Sequence, residues 1–268
     1  ARYRKEVTGS LNDEQLRALS ERLVYLRNLE EKKASVLATI EEQGKLTDEL
    51  KKQIEAVMTM VALEDLYRPY RPKRRTRATI AKEKGLEPLA EILRAQATTR
   101  TIEEEATAFV DAEKGVESVQ DAIDGAKDIL AEVYADDADY RTKLRAMTKE
   151  SGSLVAKAKD EEADSVYEMY YDFSEPIKKL VGHRILAINR GEAEKFLTVK
   201  IEAPRQEILL WLVKQIIGNM KHDSASYLYE AITDSYDRLI APSIEREIRN
   251  ELTEKAEEGA IGVFGKNL

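Results

Sequence analysis

The stretch Glu64–Gly85 reads EDLYRPYRPKRRTRATIAKEKG, and it divides a chain of 268 residues into two helical parts. Six basic residues, with no acidic residue among them, occupy ten consecutive positions: Arg68, Arg71, Lys73, Arg74, Arg75 and Arg77. Pro69 and Pro72 end the helical pattern that runs into the stretch, because proline lacks the N–H group of a helical hydrogen bond. Residues 64–85 are therefore predicted to be a basic, proline-containing junction. They carry the only concentrated chemical signal in the sequence.

This basic stretch allows two interpretations. In the first, its cations contact the phosphates of a nucleic acid, with tyrosines available to stack on bases. In the second, it is a rigid crossover whose arginines pair with nearby glutamates and hold the two helical parts together. The two prolines and the acidic surroundings favour a structural junction at Tyr67, Arg68, Pro69, Tyr70, Arg71 and Pro72. The candidate nucleic-acid-binding residues are Lys73, Arg74, Arg75 and Arg77.

The composition limits the class of protein. The net charge is −8, so any contact with nucleic acid has to be local, since a domain that binds nucleic acid over its whole surface is usually basic. No apolar run approaches the roughly 20 residues needed to cross a bilayer, and no signal peptide is recognisable. The absence of cysteine excludes disulfides and fits a reducing compartment. The sequence thus predicts a cytoplasmic protein without a membrane partner.

The residues before the basic stretch predict an N-terminal αα-hairpin over 1–63. The first helix begins after Asn12, which makes a good N-cap with Gln15 three residues later. Its apolar residues recur at helical spacing, apart from a failure at Glu30 and Lys33; they are Leu16, Leu19, Leu23, Leu26, Leu37 and Ile40. Thr47 caps a second helix, which a short connection makes an antiparallel neighbour of the first. The apolar stripe of the second helix is Leu50, Ile54, Val57, Met58 and Val61.

The residues after the stretch predict a helical body over 86–203 and C-terminal helices over 204–268. Abundant Ala, Glu, Lys and Leu, with only 12 glycines and 6 prolines, favour a mainly α-helical fold. Thr101 opens a helix with a capping box, and Ser118 opens the strongest amphipathic helix of the body. Gly125 inside that helix indicates that a second helix approaches closely. Pro204 and Pro242 each mark the start of a C-terminal helix.

A small β insertion is predicted within the helical body. Leu154–Ala158 and Phe196–Ile201 have the length or alternation of strands, and we expect them to pair as a tiny two-stranded sheet. Between them, Ser174 and Pro176 indicate a helix start. Residues 184–188 could pair with Phe196–Ile201 as a hairpin, but a helix that ends at Gly191 explains the spacing better.

The sequence offers almost no material for catalysis. His183 and His222 are the only histidines, and neither has the spacing of a zinc or catalytic motif. Residues 262–266, GVFGK, lack the full pattern and the preceding strand of a phosphate-binding loop. The many carboxylates are expected on solvated helical faces. We therefore predict no catalytic residue, no metal site and no cofactor, and a protein that is not an enzyme.

Four separated segments together carry a family resemblance. They are ARYRKEVTGSL at 1–11, LEDLYRPYRPKRRTRATIAKEKGLEPLA at 63–90, HRILAINRGE at 183–192 and DSYDRLIAPSIEREIRNELTEKAE at 234–257. In this order they resemble the Tex family of bacterial transcription accessory proteins and, more distantly, the core of the eukaryotic elongation factor Spt6. In that family the matching region is helical and contains a helix-turn-helix element. It precedes an RNase H-like domain, helix-hairpin-helix motifs and an OB-type RNA-binding domain.

The resemblance implies a function for the chain. It implies a fragment that stops before the RNase H-like domain and acts as a non-catalytic scaffold and interaction module in transcription. The full-length form would bind RNA or DNA, mainly through domains missing here, and would contact the transcription machinery. The alternative is part of an RNA-processing or nuclease-associated enzyme whose catalytic domain lies outside this chain. The arginines of the basic stretch match the family residue for residue, whereas the acidic run Lys159–Asp164 departs from it.

Overall fold

The chain folds into two compact units, Ala1–Pro72 and Lys73–Leu268. The computed structural model describes the backbone of residues 13–72 and 74–266, with side chains for 15–72 and 74–260. The fold is mainly α-helical, as predicted, with one small antiparallel sheet. The boundary between the units falls inside the basic stretch, and the finer predicted division at 63, 85 and 203 stays a prediction. No helix within the described ranges is long and apolar enough to cross a membrane.

The N-terminal unit is built on one long helix and two short ones. These are α1, Asp13–Glu42, α2, Asp48–Ala56, and α3, Met60–Tyr67, followed by a 3-10 turn at Arg68–Tyr70. The chain returns antiparallel to α1, because Lys33 contacts Glu55 and Tyr25 contacts Met60. The buried core of the unit consists of Leu29, Val36, Ile40, Leu50, Ile54 and Leu63.

The second predicted helix of the hairpin is in fact two helices. Thr47 caps α2 as predicted, by accepting a hydrogen bond from the Leu50 N–H group. However, α2 ends at Ala56, and Thr59 caps α3 in the same way. Met58 and Val61 were expected in the apolar stripe, but they are exposed, because the break changes the face that the chain presents to the core. The predicted cap at Asn12 lies outside the described residues.

The failure of the apolar pattern at Lys33 does not interrupt α1. The Lys33 side chain is buried, and its ammonium group donates to Glu30 Oε1 at 2.8 Å and to the Glu55 carbonyl at 2.9 Å. That carbonyl lies in the last turn of α2, where carbonyl groups lack a helical donor. A buried lysine therefore satisfies the end of the neighbouring helix.

The larger unit contains nine helices within its described residues. They are α4, Arg77–Glu83; α5, Glu87–Ala95; α6, Ile102–Thr107; α7, Val119–Asp136; α8, Ala138–Ser151; α9, Gly182–Ala193; α10, Arg205–Ile216; α11, Ala225–Asp234; and α12, Ala241–Lys266. Helix α7 is central and contacts α4, α5, α6 and α11. Gly125 permits close helix approach as predicted, because a Cβ atom there would overlap Leu86 Cδ1 and lie 3.3 Å from Ala81 Cβ.

Helices α11 and α12 form one continuous helical rod. A π-helical turn, Ser235–Ile240, joins them without a break. Pro242 is the second residue of α12, as predicted for the start of the last helix, although the π-helical turn joins that helix to α11 without a break. The wide turn accommodates the proline, whose missing N–H group cannot close an α-helical hydrogen bond.

The sheet has three strands, not the predicted two. They are β1, Ser153–Ala158, β2, Asp172–Pro176, and β3, Leu197–Glu202, in the antiparallel order β2-β1-β3. The predicted pairing of β1 with β3 is confirmed, with Ala156 opposite Val199. Strand β2 had been interpreted as a helix start. As a half-exposed edge strand, it lacks the alternation of apolar residues that would reveal it.

The segment between β2 and β3 is helical, as we preferred over a hairpin of residues 184–188 with Phe196–Ile201. Residues 184–188 lie inside α9, which continues to Ala193. The left-handed residue after the helix is Lys195, with φ 68°, so Gly191 is not its C-cap. Gly191 instead allows β3 to approach, because a Cβ atom there would lie 2.7 Å from Leu197 Cδ1.

Candidate nucleic-acid interface

The first half of the basic stretch is fixed to the N-terminal unit. Tyr67 ends α3, Tyr70 ends the 3-10 turn, and both rings pack against the core of that unit. Gln43 Nε2 donates to the Tyr70 carbonyl at 2.8 Å, and the Lys32 ammonium lies 5.8 Å from the centre of the Tyr67 ring. Both rings therefore serve packing in this fold, which leaves less of their surface for stacking on bases.

In this first half of the basic stretch, Arg71 lies beside an acidic residue, and Arg68 takes part in another contact. Arg71 Nη1 lies 3.7 Å from Glu64 Oε2, and Lys32 Nζ lies 3.4 Å from Glu64 Oε1. Arg68 is half-buried and takes part in a contact. Exposed ion pairs of this kind contribute about 0–1 kcal/mol, so the tyrosines hold this half more firmly than the charges do.

The second half of the basic stretch belongs to the larger unit and is open to solvent. Arg74, Arg75 and Arg77 are all exposed, and Lys73 lies outside the described residues. Arg75 Nη2 pairs with Glu83 Oε2 at 2.8 Å, and both side chains are mostly exposed. Arg74 forms no ion pair with any residue that the structure describes. Three guanidinium groups within four positions thus lie at the surface, and only one of them, that of Arg75, pairs with a carboxylate among the described residues.

A helix cap fixes the backbone of this open half. Thr76 Oγ1 accepts from the Thr79 N–H group at 3.1 Å, and the Thr76 N–H group donates to Thr79 Oγ1 at 2.7 Å. This reciprocal capping box begins α4 at Arg77. Burial raises the pKa of Asp128 on α7, and the charges of Arg238 and Arg77 partly offset that rise. Arg77 therefore lies near an acid without forming a close pair with it.

The turn between α4 and α5 is of the kind found in helix-turn-helix elements, although the sequence assigned no residues to that element. Residues 84–86 join them, with Gly85 at φ 80°, and such short glycine-containing turns are typical of that motif. The second helix of the motif usually enters the groove of DNA. Here that helix exposes Glu87 and Glu91, which would repel phosphates. The assignment of this element stays a prediction.

His222 and the tyrosine-rich segment make contacts within the fold, whereas His183 is exposed. His222 Nε2 donates to the Thr98 carbonyl at 3.0 Å, since a carbonyl can only accept, and His222 Nδ1 accepts from the Ser224 N–H group. Tyr167 and Tyr170 are buried, in agreement with a packing role. In the part of the chain that the structure describes, no three His, Asp or Glu side chains are placed to hold a metal ion.

Two features of the larger unit were not identified from the sequence. One is the fully buried Arg141, held by residues more than a hundred positions later in the chain. The other is a cavity beside the π-helical turn. The available signal for the cavity was Pro242, which interrupts an apolar pattern that otherwise continues through it.

The chain is mainly α-helical and exposes three arginines within residues 74–77, and comparisons define its family. It matches the models for "Tex central region-like" over residues 97–264 and "Tex-like protein N-terminal domain" over residues 1–41. The chain therefore belongs to the Tex family, as its four sequence segments indicated.

Named relatives cover the whole chain. It is 47% identical to "Uncharacterized protein YdcI" of Bacillus subtilis, over 100% of this chain and 38% of that protein. It is 41% identical to "Transcriptional accessory protein Tex" of Neisseria gonorrhoeae, over 100% of this chain and 36% of that protein. It is 31% identical to the human "S1 RNA-binding domain-containing protein 1", over 100% of this chain and 28% of that protein. The chain thus spans little more than a third of its bacterial relatives.

Proposed function

We propose that this chain is a non-catalytic helical scaffold of a transcription accessory protein, and that its Arg74–Arg77 segment contacts nucleic-acid phosphates. The observation that carries the proposal is the exposure of three arginines within four positions of a protein whose net charge is −8. The names of two relatives, a transcriptional accessory protein and an S1 RNA-binding domain protein, support the same role. The proposal places the protein in the cytoplasm, with RNA or DNA and the transcription machinery as partners.

The charges of the open segment suit phosphate better than a structural pair. The Arg75–Glu83 contact lies in solvent and is worth about 0–1 kcal/mol, so a phosphate oxygen can replace the carboxylate at little cost. Guanidinium groups bind phosphate through paired N–H donors and keep their charge at any physiological pH. A guanidinium group that binds a phosphate does not distinguish one base from another. The proposed contact therefore positions nucleic acid without selecting a sequence.

The magnitude of the contact follows from counterion release. Each neutralised phosphate contributes about −0.7 to the slope of log K against log salt for single strands, and about −0.9 for duplex DNA. Three arginines therefore give a slope of roughly −2 to −3, which is weak and strongly salt-dependent binding. In the alternative hypothesis, the chain is part of an enzyme whose catalytic domain lies outside it. That hypothesis assigns no role to these arginines.

The test uses charge reversal with a matched control. Arg74→Glu with Arg75→Glu reverses two neighbouring exposed cations in the open segment. Lys51→Glu with Lys52→Glu reverses two neighbouring exposed cations on α2 and changes the net charge equally. Binding to a fluorescein-labelled single-stranded RNA and a duplex DNA is measured by anisotropy at several salt concentrations.

We expect the arginine variant to lose about tenfold or more in affinity and its salt slope to flatten by about one to two. The lysine variant keeps most of the slope. Equal losses in both variants would mean that net charge alone governs binding, and the local site would be wrong.

A further inference from the structure

A cavity of about 320 Å³ lies beside the π-helical turn of the larger unit. Its lining comes from α8, the end of β3, the start of α10, the π-helical turn and the start of α12. The volume is at the lower end of the range of small-molecule sites, which runs from about 300 to 1,000 Å³. Single π-helical turns inside α-helices often occur at functional sites. None of the lining residues takes part in the proposed contact with nucleic acid.

The walls of the cavity combine an aliphatic surface with hydrogen-bond acceptors. Ile201, Ile244 and Ala241 provide the aliphatic part. Three carboxylates and one guanidinium group provide the charges, so the cavity lining is net negative. The guanidinium group, Arg205, is committed to Asp237 through two hydrogen bonds of 2.8 and 2.7 Å.

Glu202 and Glu245 are the two carboxylates outside that ion pair. Glu245 Oε1 accepts from the Ile201 N–H group at 2.9 Å, and its second oxygen has no partner among the described residues. Glu202 pairs with Lys200 at 2.9 Å at the surface, where the pair is weak. The cavity therefore offers several acceptors and few donors.

Tyr236 supplies the observation that indicates a ligand. Its side chain is 3% exposed and lines the cavity, yet its hydroxyl makes no hydrogen bond to another described residue. Burial raises the pKa of Tyr236 to about 12, with a further rise from Asp237, so the hydroxyl stays protonated. The hydroxyl oxygen is not sealed from solvent, so it reaches the open space of the cavity, where water or a ligand satisfies its hydrogen-bonding capacity.

We propose that this cavity binds an alkyl cation, an ammonium or guanidinium group carried on a short aliphatic stem. The stem contacts Ile201, Ile244 and the Tyr236 ring. The charged head donates to the carboxylates of Glu202 and Glu245 and to the Tyr236 hydroxyl oxygen. Such a group could come from a free amine or from an arginine side chain of a protein, and both sources share this chemistry.

The test measures direct binding of defined probes to the unmodified chain. Agmatine represents a free alkyl cation, N-acetyl-arginine amide represents a protein side chain, and N-acetyl-norleucine amide is the neutral analogue. Titration followed by two-dimensional NMR should give saturable shifts at the amides of Ile201, Tyr236 and Ala241 with a cationic probe. If agmatine alone binds, the source is a free amine; if the arginine amide binds equally well, a side chain suffices.

Substitutions locate the probe in the cavity. We expect Glu245→Gln to weaken binding about tenfold, since it removes a charge but keeps an acceptor for the Ile201 N–H group. Tyr236→Phe should weaken it about three- to tenfold. Tyr134→Phe is the control, because the Tyr134 hydroxyl is buried without a partner and lies outside the cavity. Glu161→Gln, in an exposed loop, controls for net charge.

Three results would overturn the proposal. One is the absence of saturable binding for both cationic probes. Another is equal binding of the norleucine amide, which would reduce the site to an apolar pocket. The third is unchanged affinity in both Glu245→Gln and Tyr236→Phe. If Glu245→Gln fails to fold, Glu202→Gln replaces it, because Glu202 is exposed and bonds only to Lys200.

Discussion

Two groups of arginines in the larger unit have opposite surroundings. Arg141 on α8 is fully buried and bonds to Ser243 at 3.0 Å and Glu247 at 2.5 Å on α12, and Arg145 bonds to the same glutamate. Arg74 and Arg75 lie in solvent, and only Arg75 has a carboxylate partner among the described residues. Because both groups consist of arginines, the burial of the side chain distinguishes their roles. A buried arginine stabilises the fold, whereas an exposed one remains available to a partner.

The largest effect should come from the buried group. Arg141→Met leaves Glu247 partly buried with fewer partners, and we expect the free energy of unfolding to fall by about 3–5 kcal/mol. Arg74→Met is the matched substitution at the surface and should stay within about 0.5 kcal/mol. Urea unfolding followed by fluorescence of Trp211, the sole tryptophan, reports on this unit, because its ring lies edge-on to Tyr140 of α8 at 5.7 Å. Similar losses of unfolding free energy in Arg141→Met and Arg74→Met would contradict the difference between buried and exposed arginines.

The pH dependence of stability sharpens the same distinction. Burial alone would raise the pKa of Glu247, but Arg141 and Arg145 hold that pKa below its ordinary value of 4.5. A lowered folded-state pKa stabilises the fold fully above the unfolded value, and this stability is lost as pH falls through the folded value. Unfolding curves at several pH values below 4.5 should therefore show a loss of stability that is smaller in Glu247→Gln. An identical acid dependence in both proteins would contradict the assignment.

A smaller effect tests the fixed half of the basic stretch. Tyr70 packs on the core of the N-terminal unit, and Tyr70→Ala should destabilise that unit by about 1–2 kcal/mol, because the ring is only half-buried. The neighbouring Arg71→Ala should stay within about 0.5 kcal/mol. Hydrogen exchange of the α1 and α2 amides measures both. If Arg71→Ala destabilises the N-terminal unit more than Tyr70→Ala does, the ion pair and not the packing of the ring holds the first half of the basic stretch.

The smallest effect concerns the one acid beside the open half. Glu83→Gln releases Arg75 from its surface pair and removes a charge that repels phosphate. We expect about a two- to threefold gain in affinity for single-stranded RNA, which follows from an exposed pair worth less than about 1 kcal/mol. Stability should not change. Glu161→Gln removes the same charge elsewhere and serves as the control for the anisotropy measurement.

Local signals in the sequence predicted much of the fold. The caps at Thr47, Thr101 and Ser118 are confirmed, because a cap depends on residues three or four positions apart. Gly125 also marked a close approach correctly, and the β1–β3 pairing followed from alternation. The features that sequence reasoning missed depend on distant partners or on context. Edge strand β2 has no apolar pattern of its own.

Buried charges were the least predictable feature. Lys33 broke an apolar pattern, yet it lies inside because a carbonyl 22 positions away needs a donor. Arg141 has its acidic partner 106 positions later, so no local pattern could reveal the pair. The boundary between the two units falls inside the basic stretch, and the role of that stretch as a junction stays a prediction. Which of its arginines lie in solvent depends on where α3 ends and α4 begins, and that required the fold.

The most direct test of the central claim is the salt dependence of RNA binding by the full chain. Slopes of log K against log salt are compared for the unmodified protein, Arg74→Met with Arg75→Met, and Arg71→Met. We expect a slope flatter by about 1.4 for the double variant, which loses two phosphate contacts, and an unchanged slope for Arg71→Met. An unchanged slope in the double variant, or an equal change in Arg71→Met, would contradict it.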